Sequence, residues 1–223
     1  MYTYKTGSIN HVIGVYWRVF RGVLHLVLSL LLSPPLPRAY RMLGLRVKAS
    51  PGVFDPYASR TSILLARVAM TIACKLKPRL CLEPYSGTGL AALVMSLAGC
   101  SYTIASDLDS RAVECSWQNA KSNKLDHIID VAQAPNLSYV RRTSSLTLVA
   151  ANPPYKECRR VGPSDPVCAG ENGELLDLFR RQALSILAKG VVVYTSQHPL
   201  EERHVGYKIT PIETIYLNLV LRR

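Results

Sequence analysis

Leu80-Cys81-Leu82-Glu83-Pro84-Tyr85-Ser86-Gly87-Thr88-Gly89-Leu90 decides how this chain folds: a short apolar strand runs into a glycine turn and then into an apolar helical segment through Leu97. Glycines at such a turn let backbone amides and a helix N-terminus come close to a nucleotide-type ligand. Tyr102 to Asp107 reads as a second strand, ending in a carboxylate about twenty residues past the glycines, where ribose hydroxyls are held. Asp107 is therefore the expected ribose partner, with Leu108 beside it. Its alternative duty is to cap the helix Ser110 to Ala120, a duty Asp109 fits at least as well. The third glycine of a dinucleotide fingerprint is replaced by Ala92, and Glu83 leads the turn. A carboxylate there repels a pyrophosphate but suits the amino-acid end of S-adenosylmethionine, directly or through water. Glu83, Tyr85, Gly87, Gly89 and Asp107 are thus the expected cradle of that cofactor.

Leu146 to Ala151 leads into Asn152-Pro153-Pro154-Tyr155 and reads as a strand ending at a methyl-transfer site. Both prolines fix φ and lack an N–H, so the backbone after Asn152 is stiff and offers only carbonyl acceptors. That suits a planar amino group. Asn152 Oδ1 and the Pro153 carbonyl can each accept one N–H, and the Tyr155 ring can cover one face. Asn152, Pro153, Pro154 and Tyr155 are the expected acceptor-binding residues; Asn152, Pro153 and Tyr155 are the expected catalytic ones, and Asn152 is also expected to border the cofactor. The bland alternative is an ordinary Asn-Pro turn after a buried strand.

In this order and spacing, Glu83-x-x-x-Gly87-x-Gly89, Asp107 and Asn152 to Tyr155 resemble class I S-adenosylmethionine-dependent methyltransferases acting on an amino or amide nitrogen. Within that class the likeness is to the HemK/PrmC family of release-factor glutamine methyltransferases, particularly its short archaeal and eukaryotic branch. Gly52-Val53-Phe54-Asp55-Pro56 looks like the family's lead-in segment, and Ala169-Gly170-Glu171-Asn172-Gly173 looks like its glycine motif after the catalytic turn. Glu213-Thr214 opens a terminal strand similar to the family's. The likeness implies methylation of a glutamine side chain in the Gly-Gly-Gln loop of a peptide-chain release factor, a protein methylation of translation termination. It also implies a small zinc-binding activator subunit that covers an apolar face. Where the family sets an Asp beside the adenine, this chain has Gln133-Ala134-Pro135-Asn136-Leu137, so Asn136 or the backbone alone is expected there.

Strands and helical stretches alternate, which predicts an α/β fold. Strands are expected near Leu80 to Leu82, Tyr102 to Ser106, Ile128 to Ala132, Leu146 to Ala151, Val191 to Ser196, Tyr207 to Thr210 and Thr214 to Arg222. Helices are expected over Ser62 to Lys75, Leu90 to Ala98, Ser110 to Asn123 and Glu174 to Ala188. Together they predict a Rossmann-like class I methyltransferase domain over residues 46–223. Its mostly parallel seven-stranded sheet has an antiparallel last strand and helices on both faces. A chain of 223 residues can bury a sizeable core.

Residues 1–45 read as an apolar helical extension. His11 to Leu32 carries Arg18, Arg21, His25 and Ser29 on one narrow polar stripe before Pro34-Pro35 and Pro37 stop it. Its uncharged stretch, Gly22 to Leu32, is about half the roughly 20 residues a spanning helix needs, so no transmembrane span is expected. Nor does a small-residue cleavage pattern follow. A helix packed on the domain is the first reading, and a membrane-surface or partner-binding helix is the other. The expected location is cytoplasmic.

Cys74, Cys81, Cys100, Cys115, Cys158 and Cys168 show no Cys-x-x-Cys pairing, so neither a zinc site nor a disulfide framework is expected and no metal is assigned. Most should be buried small hydrophobes. Cys158 and Cys168 flank the loop after the catalytic turn and form the one candidate bridge. A net charge of +12, with Arg141-Arg142, Lys156, Arg159-Arg160 and Arg180-Arg181 near the expected site in sequence, suggests a positive rim that would attract RNA, a ribosomal particle or an acidic protein. Three functions compete: a release-factor glutamine methyltransferase, an RNA or DNA methyltransferase acting on an exocyclic adenine or guanine amine, and a non-catalytic RNA- or protein-binding subunit. The intact glycine loop and acceptor turn argue against the third.

Overall fold

The structure is a computed structural model and describes residues 36–57, 60–154, 174–201, 203–208 and 214–222. Tyr155, Lys156, Arg159, Arg160, the Cys158 and Cys168 pair, the 169–173 glycine motif, Glu213 and the apolar stretch before residue 36 lie outside them.

Thirteen described elements follow one another: β1 (Arg38–Met42), β2 (Leu45–Ala49), α1 (Arg60–Leu76), β3 (Leu80–Pro84), α2 (Leu90–Leu97), β4 (Thr103–Asp107), α3 (Ser110–Ser122), β5 (Ile129–Gln133), β6 (Thr143–Ala151), α4 (Glu174–Ile186), β7 (Leu187–Ser196), β8 (His204–Lys208) and β9 (Thr214–Arg222). The seven-stranded sheet has the order β5-β4-β3-β6-β7-β9-β8. β5, β4, β3, β6 and β7 are mutually parallel, and β9 is antiparallel to both its neighbours. This is the Rossmann-like class I methyltransferase fold. The chain winds outward from β3 to β5, then crosses back to β6, so the winding reverses between β3 and β6. Open α/β sheets bind ligands outside the strand C-termini at such a reversal.

Buried on both faces, the central parallel strands β6 and β7 become near-continuous apolar runs, as in Leu148-Val149-Ala150-Ala151, all fully buried. Leu148 and Ala150 face α1 and α2, in a cluster with Leu65, Ala69 and Met95. Val149 and Ala151 face α4, packing with Phe179, Ala183 and Tyr194.

Two features depart from the sequence reading. The first is the β1–β2 hairpin, which straddles the 45/46 boundary and packs Leu45 and Val47 against Leu90, Leu93 and Ala120. α3 completes the free edge of β2 with side-chain amides. Asn123 accepts from the Arg46 N–H at 2.9 Å and donates to the Arg46 carbonyl at 2.7 Å. One helical turn earlier, Asn119 does the same with Lys48, at 2.9 and 2.8 Å. Four helical residues rise about 6 Å and two strand residues about 6.6 Å, so the two repeats match. The second is a disulfide between Cys81 and Cys100, whose Cα atoms are 6.3 Å apart. It corrects the expectation of no bridge between these cysteines. Nineteen residues separate them in sequence, and the β3–α2–β4 return brings them together in the core.

Candidate active site

β4, β3 and β6 are neighbours, and their registers align Ser106 with Pro84 and Val149 with Leu82. Asp107, Tyr85 and Asn152 therefore leave the sheet at nearly the same level. At about 4.8 Å per strand, Asp107 and Asn152 lie about 10 Å apart across the crevice.

The glycine loop between β3 and α2 is positioned by its neighbours. Gly87 and Gly89 adopt φ of 52° and 75°, and a Cβ on Gly89 would lie 3.0 Å from Ser116 Oγ. Position 89 thus requires glycine on two counts. Asp107 accepts from the Gly87 N–H at 2.9 Å and from the Asp109 N–H at 3.1 Å. Asp109 caps α3, accepting from the Arg111 N–H at 2.9 Å, which frees Asp107 from that duty. Burial raises the Asp107 carboxyl above its ordinary range, against the pull of the Gly87 and Asp109 amides. Each of its oxygens keeps lone-pair capacity for a ribose hydroxyl.

Glu83 stands differently from the sequence expectation of a group reaching the cofactor. It is 6% exposed, and its oxygens accept from the Ala91 N–H at 3.0 Å and the Ala92 N–H at 2.7 Å, closing the first turn of α2. These are amides that a helix N-terminus otherwise leaves unpaired. Burial pushes its carboxyl up to about 8, against the pull of the Ala92 and Ala91 amides. The folded state thus holds this proton more tightly than the unfolded chain. That contribution to stability is complete below the ordinary value of 4.5 and is lost as pH rises toward 8. The melting temperature should fall across that window, each pH unit removing up to about 1.4 kcal/mol. Glu83→Gln should flatten the slope; an unchanged slope in thermal melts of the variant would contradict this.

Asn152 is clamped between two elements. Its Nδ2 donates to Ser62 Oγ of α1 at 3.2 Å, and its Oδ1 accepts from Thr195 Oγ1 at the end of β7. The side-chain amide is thereby fixed, and Oδ1 keeps a second lone pair for an incoming N–H. Pro153 is buried and Pro154 half-buried. Asn136 folds back on its own turn, accepting from the Ser138 N–H at 2.9 Å, and its amide donors remain available. Leu108 is exposed beside Asp107. Tyr85 takes a positive φ of 58° and meets Phe179 edge-on at 6.0 Å; burial raises its hydroxyl to about 12. The hydroxyl of Tyr85, just past β3, is buried with no hydrogen-bond partner among the described residues, while that of Ser106, at the end of β4, faces the Tyr139 hydroxyl. Buried polar atoms without partners are uncommon, and a ligand rich in hydroxyl, amine and carboxylate groups would satisfy this one. The site thus fits a nucleoside amino-acid cofactor.

Several partners that hold the site together carry no signal in the sequence. Ser116 bonds the Gly87 carbonyl at 3.0 Å and contacts Ser86 Oγ at 3.1 Å. Asn119 donates to the Thr88 carbonyl at 2.9 Å. Asp55 is fully buried, accepting from Tyr40 Oη at 2.6 Å, Arg38 at 3.2 Å and the Tyr57 N–H at 2.9 Å, so the lead-in segment is held onto β1. The expected basic rim needs one correction. Arg180 is engaged by Glu201 at 2.8 Å and Asp177 at 3.4 Å, and Glu201 also accepts from Tyr194 Oη at 2.8 Å. Arg141, Arg142 and Arg181 are exposed. Among the described residues no helix is long and apolar enough to cross a membrane.

The family profile UPF0020, described as RMKL-like, methyltransferase domain, matches residues 65–204. No curated protein sequence matches the chain. Among solved structures, the chain is similar to the tRNA m1G37 methyltransferase of M. jannaschii, with a TM-score of 0.59 at 14% identity over 86% of this chain and 58% of that one. It is similar to the ribosomal protein L11 methylase of Lactobacillus delbrueckii subsp. bulgaricus, at 0.55 and 17% over 78% and 84%. It is also similar to P. horikoshii TYW2 in complex with MeSAdo, at 0.56 and 13% over 82% and 69%. At these identities the likeness is one of fold.

Proposed function

The chain belongs to the UPF0020 family of RMKL-like methyltransferase domains and is a methyltransferase whose cofactor is S-adenosylmethionine; from that premise we propose that its acceptor is the exocyclic amino group of a base in RNA. The observation that carries the reading is the clamped Asn152 amide followed by the Pro153 carbonyl, about 10 Å across the crevice from Asp107, in a chain of net charge +12. Two acceptors in a stiff turn match the two N–H bonds of a planar amine, and the charge suits a polyanion.

S-adenosylmethionine, when bound, supplies an electrophilic methyl group on a sulfonium. Asp107 would hold ribose hydroxyls, and the glycine loop would leave room for the backbone to approach. Glu83 would act through the first turn of α2, which it holds in place. Asn152 Oδ1 and the Pro153 carbonyl would accept the two N–H bonds of the base and aim the nitrogen lone pair into the crevice. As nitrogen gains the methyl it becomes cationic, and the same two acceptors stabilise that charge. Its surplus proton is then acidic enough to leave to solvent without a strong base. Tyr155, by its place in the motif, is assigned the wall over the base, where its ring face favours the developing cation.

The glutamine reading rests on the same turn, because a side-chain amide presents a similar planar amino group. Its further support was the resemblance of the 52–56 segment, the 169–173 motif and Glu213-Thr214, of which the 169–173 motif and Glu213 lie outside the described residues, and the family that matches is RMKL-like rather than HemK/PrmC. Methyl-labelled cofactor offered in parallel to total RNA and to a release factor separates the two. Label is expected in RNA at a base amine. Label confined to a release-factor glutamine would replace this reading with the other.

A further inference from the structure

We infer that the outer face of the β1–β2 hairpin, together with the C-terminal end of α3, is a docking site for backbone phosphates of the RNA substrate, remote from the methyl-transfer crevice. It rests on the RNA reading above for the identity of the polyanion.

In the hairpin, Leu45, Val47 and Ala49 point to the core, so the alternate residues Arg46 and Lys48 stand on the outer face, and both are exposed. Register places Arg41 directly opposite Arg46. Like charges directly opposite one another on a strand pair repel. No acidic side chain among the described residues pairs with Arg41, Arg46, Lys48 or Lys124; the described ion pairs all lie elsewhere. Glu114, on α3, is bonded to Gln118 at 2.8 Å. Arg41, Arg46 and Lys124 instead line a cavity of about 340 Å³ between the hairpin turn at Gly44 and residues Ser122 to Lys124. Three of the last four carbonyls of the adjoining helix are occupied, which weakens the negative end of its dipole. Asn119 O, Ala120 O and Lys121 O all accept bonds from the amides of residues 123 to 125.

The chemistry favours nucleic acid over an acidic protein. Guanidinium forks match phosphate oxygens in paired hydrogen bonds. A protein interface needs an apolar centre, and none of the exposed large hydrophobics among the described residues lines this cavity. Protein–DNA interfaces are more polar and more positive than protein–protein ones, and the phosphate backbone that causes this is shared by RNA. α3 spans 13 residues, about 20 Å from its start beside Asp107 to its end at the cavity. A base in the crevice and phosphates at the hairpin would thus belong to one RNA lying along α3.

The test compares the full chain with R41Q/R46Q/K124Q and with a control, R67Q/K75Q/R79Q, that removes as many exposed charges from α1 and its C-terminal connection. Binding of a fluorescein-labelled 20-base-pair RNA duplex and of poly-glutamate is measured across a salt series, with melting temperatures recorded. The hairpin variant should melt like the wild type and bind the duplex at least tenfold more weakly. Its slope of log affinity against log salt should be shallower by roughly 2–3, one counterion-release step per lost phosphate contact. The control should change less than threefold. Duplex affinity and slope equal to wild type in the folded hairpin variant would overturn the proposal, as would selective loss of poly-glutamate binding. Methyl transfer is scored separately. RNA labelled by both proteins at equal KM removes this docking site and leaves the RNA reading intact. Duplex binding that depends on the three cations, with label found only in protein, removes the RNA reading and leaves the site.

Discussion

Replacing Asn152 with alanine should lower methyl transfer by about 10²–10³-fold, the range lost when one preorganised partner of a developing charge is removed, while cofactor affinity changes by less than about threefold. The variant deletes the side-chain acceptor but not the Pro153 carbonyl, so an amine can still enter and will lie with one N–H unheld. Geometry, more than binding, is what is lost, and kcat should fall further than KM rises. The structure adds a second consequence. Thr195 is fully buried, and its hydroxyl donates to Asn152 Oδ1, so the variant also strands a buried hydroxyl. That should cost about 1–3 kcal/mol of stability. Calorimetric titration of cofactor, single-turnover transfer and a thermal melt on the same preparation read all three effects. Equal loss of cofactor affinity and turnover would mean that Asn152 belongs to the cofactor and not to the acceptor.

Asp107→Ala should act on the other side of the crevice, weakening S-adenosylmethionine by about 10- to 100-fold, which corresponds to about 1.5–3 kcal/mol of charge-assisted hydrogen bonding. Two losses combine there. The ribose would lose its carboxylate, and the Gly87 N–H would lose the partner that holds the loop at 2.9 Å. Asp107→Asn separates them, since it retains an acceptor for one of the two while discarding the charge. Recovery of most of the affinity in Asp107→Asn would show that loop geometry dominates. Turnover at saturating cofactor should stay near wild type in both variants, and a large fall there would contradict the assigned role.

The sheet and its order of elements were legible because short strands, apolar runs at the sheet centre, alternate with helices marked by their spacing and are bounded by turn signals. Asp107 and Asp109 show how far local rules reach. Capping chemistry admitted both, and the structure assigns the cap to Asp109 through its bond to the Arg111 N–H. The β1–β2 hairpin was not legible. Its strands are five residues each, and its free edge is completed by Asn119 and Asn123, more than seventy residues away. An asparagine on a helix carries no mark of a partner that distant. The same holds for Cys81 and Cys100, which are joined only because the strand after α2 returns beside β3.

The sequence by itself determined the fold class, the glycine loop and a stiff Asn-Pro-Pro turn at the end of a buried strand, because strand periodicity, glycine conformation and proline stiffness are local properties of the chain. Tertiary structure alone decided what holds those parts in register. It clamped Asn152 between Ser62 and Thr195, and completed the free edge of β2 with Asn119 and Asn123. Each of these depends on where a distant element lies, and side-chain partners brought together by packing leave no periodic trace along the chain.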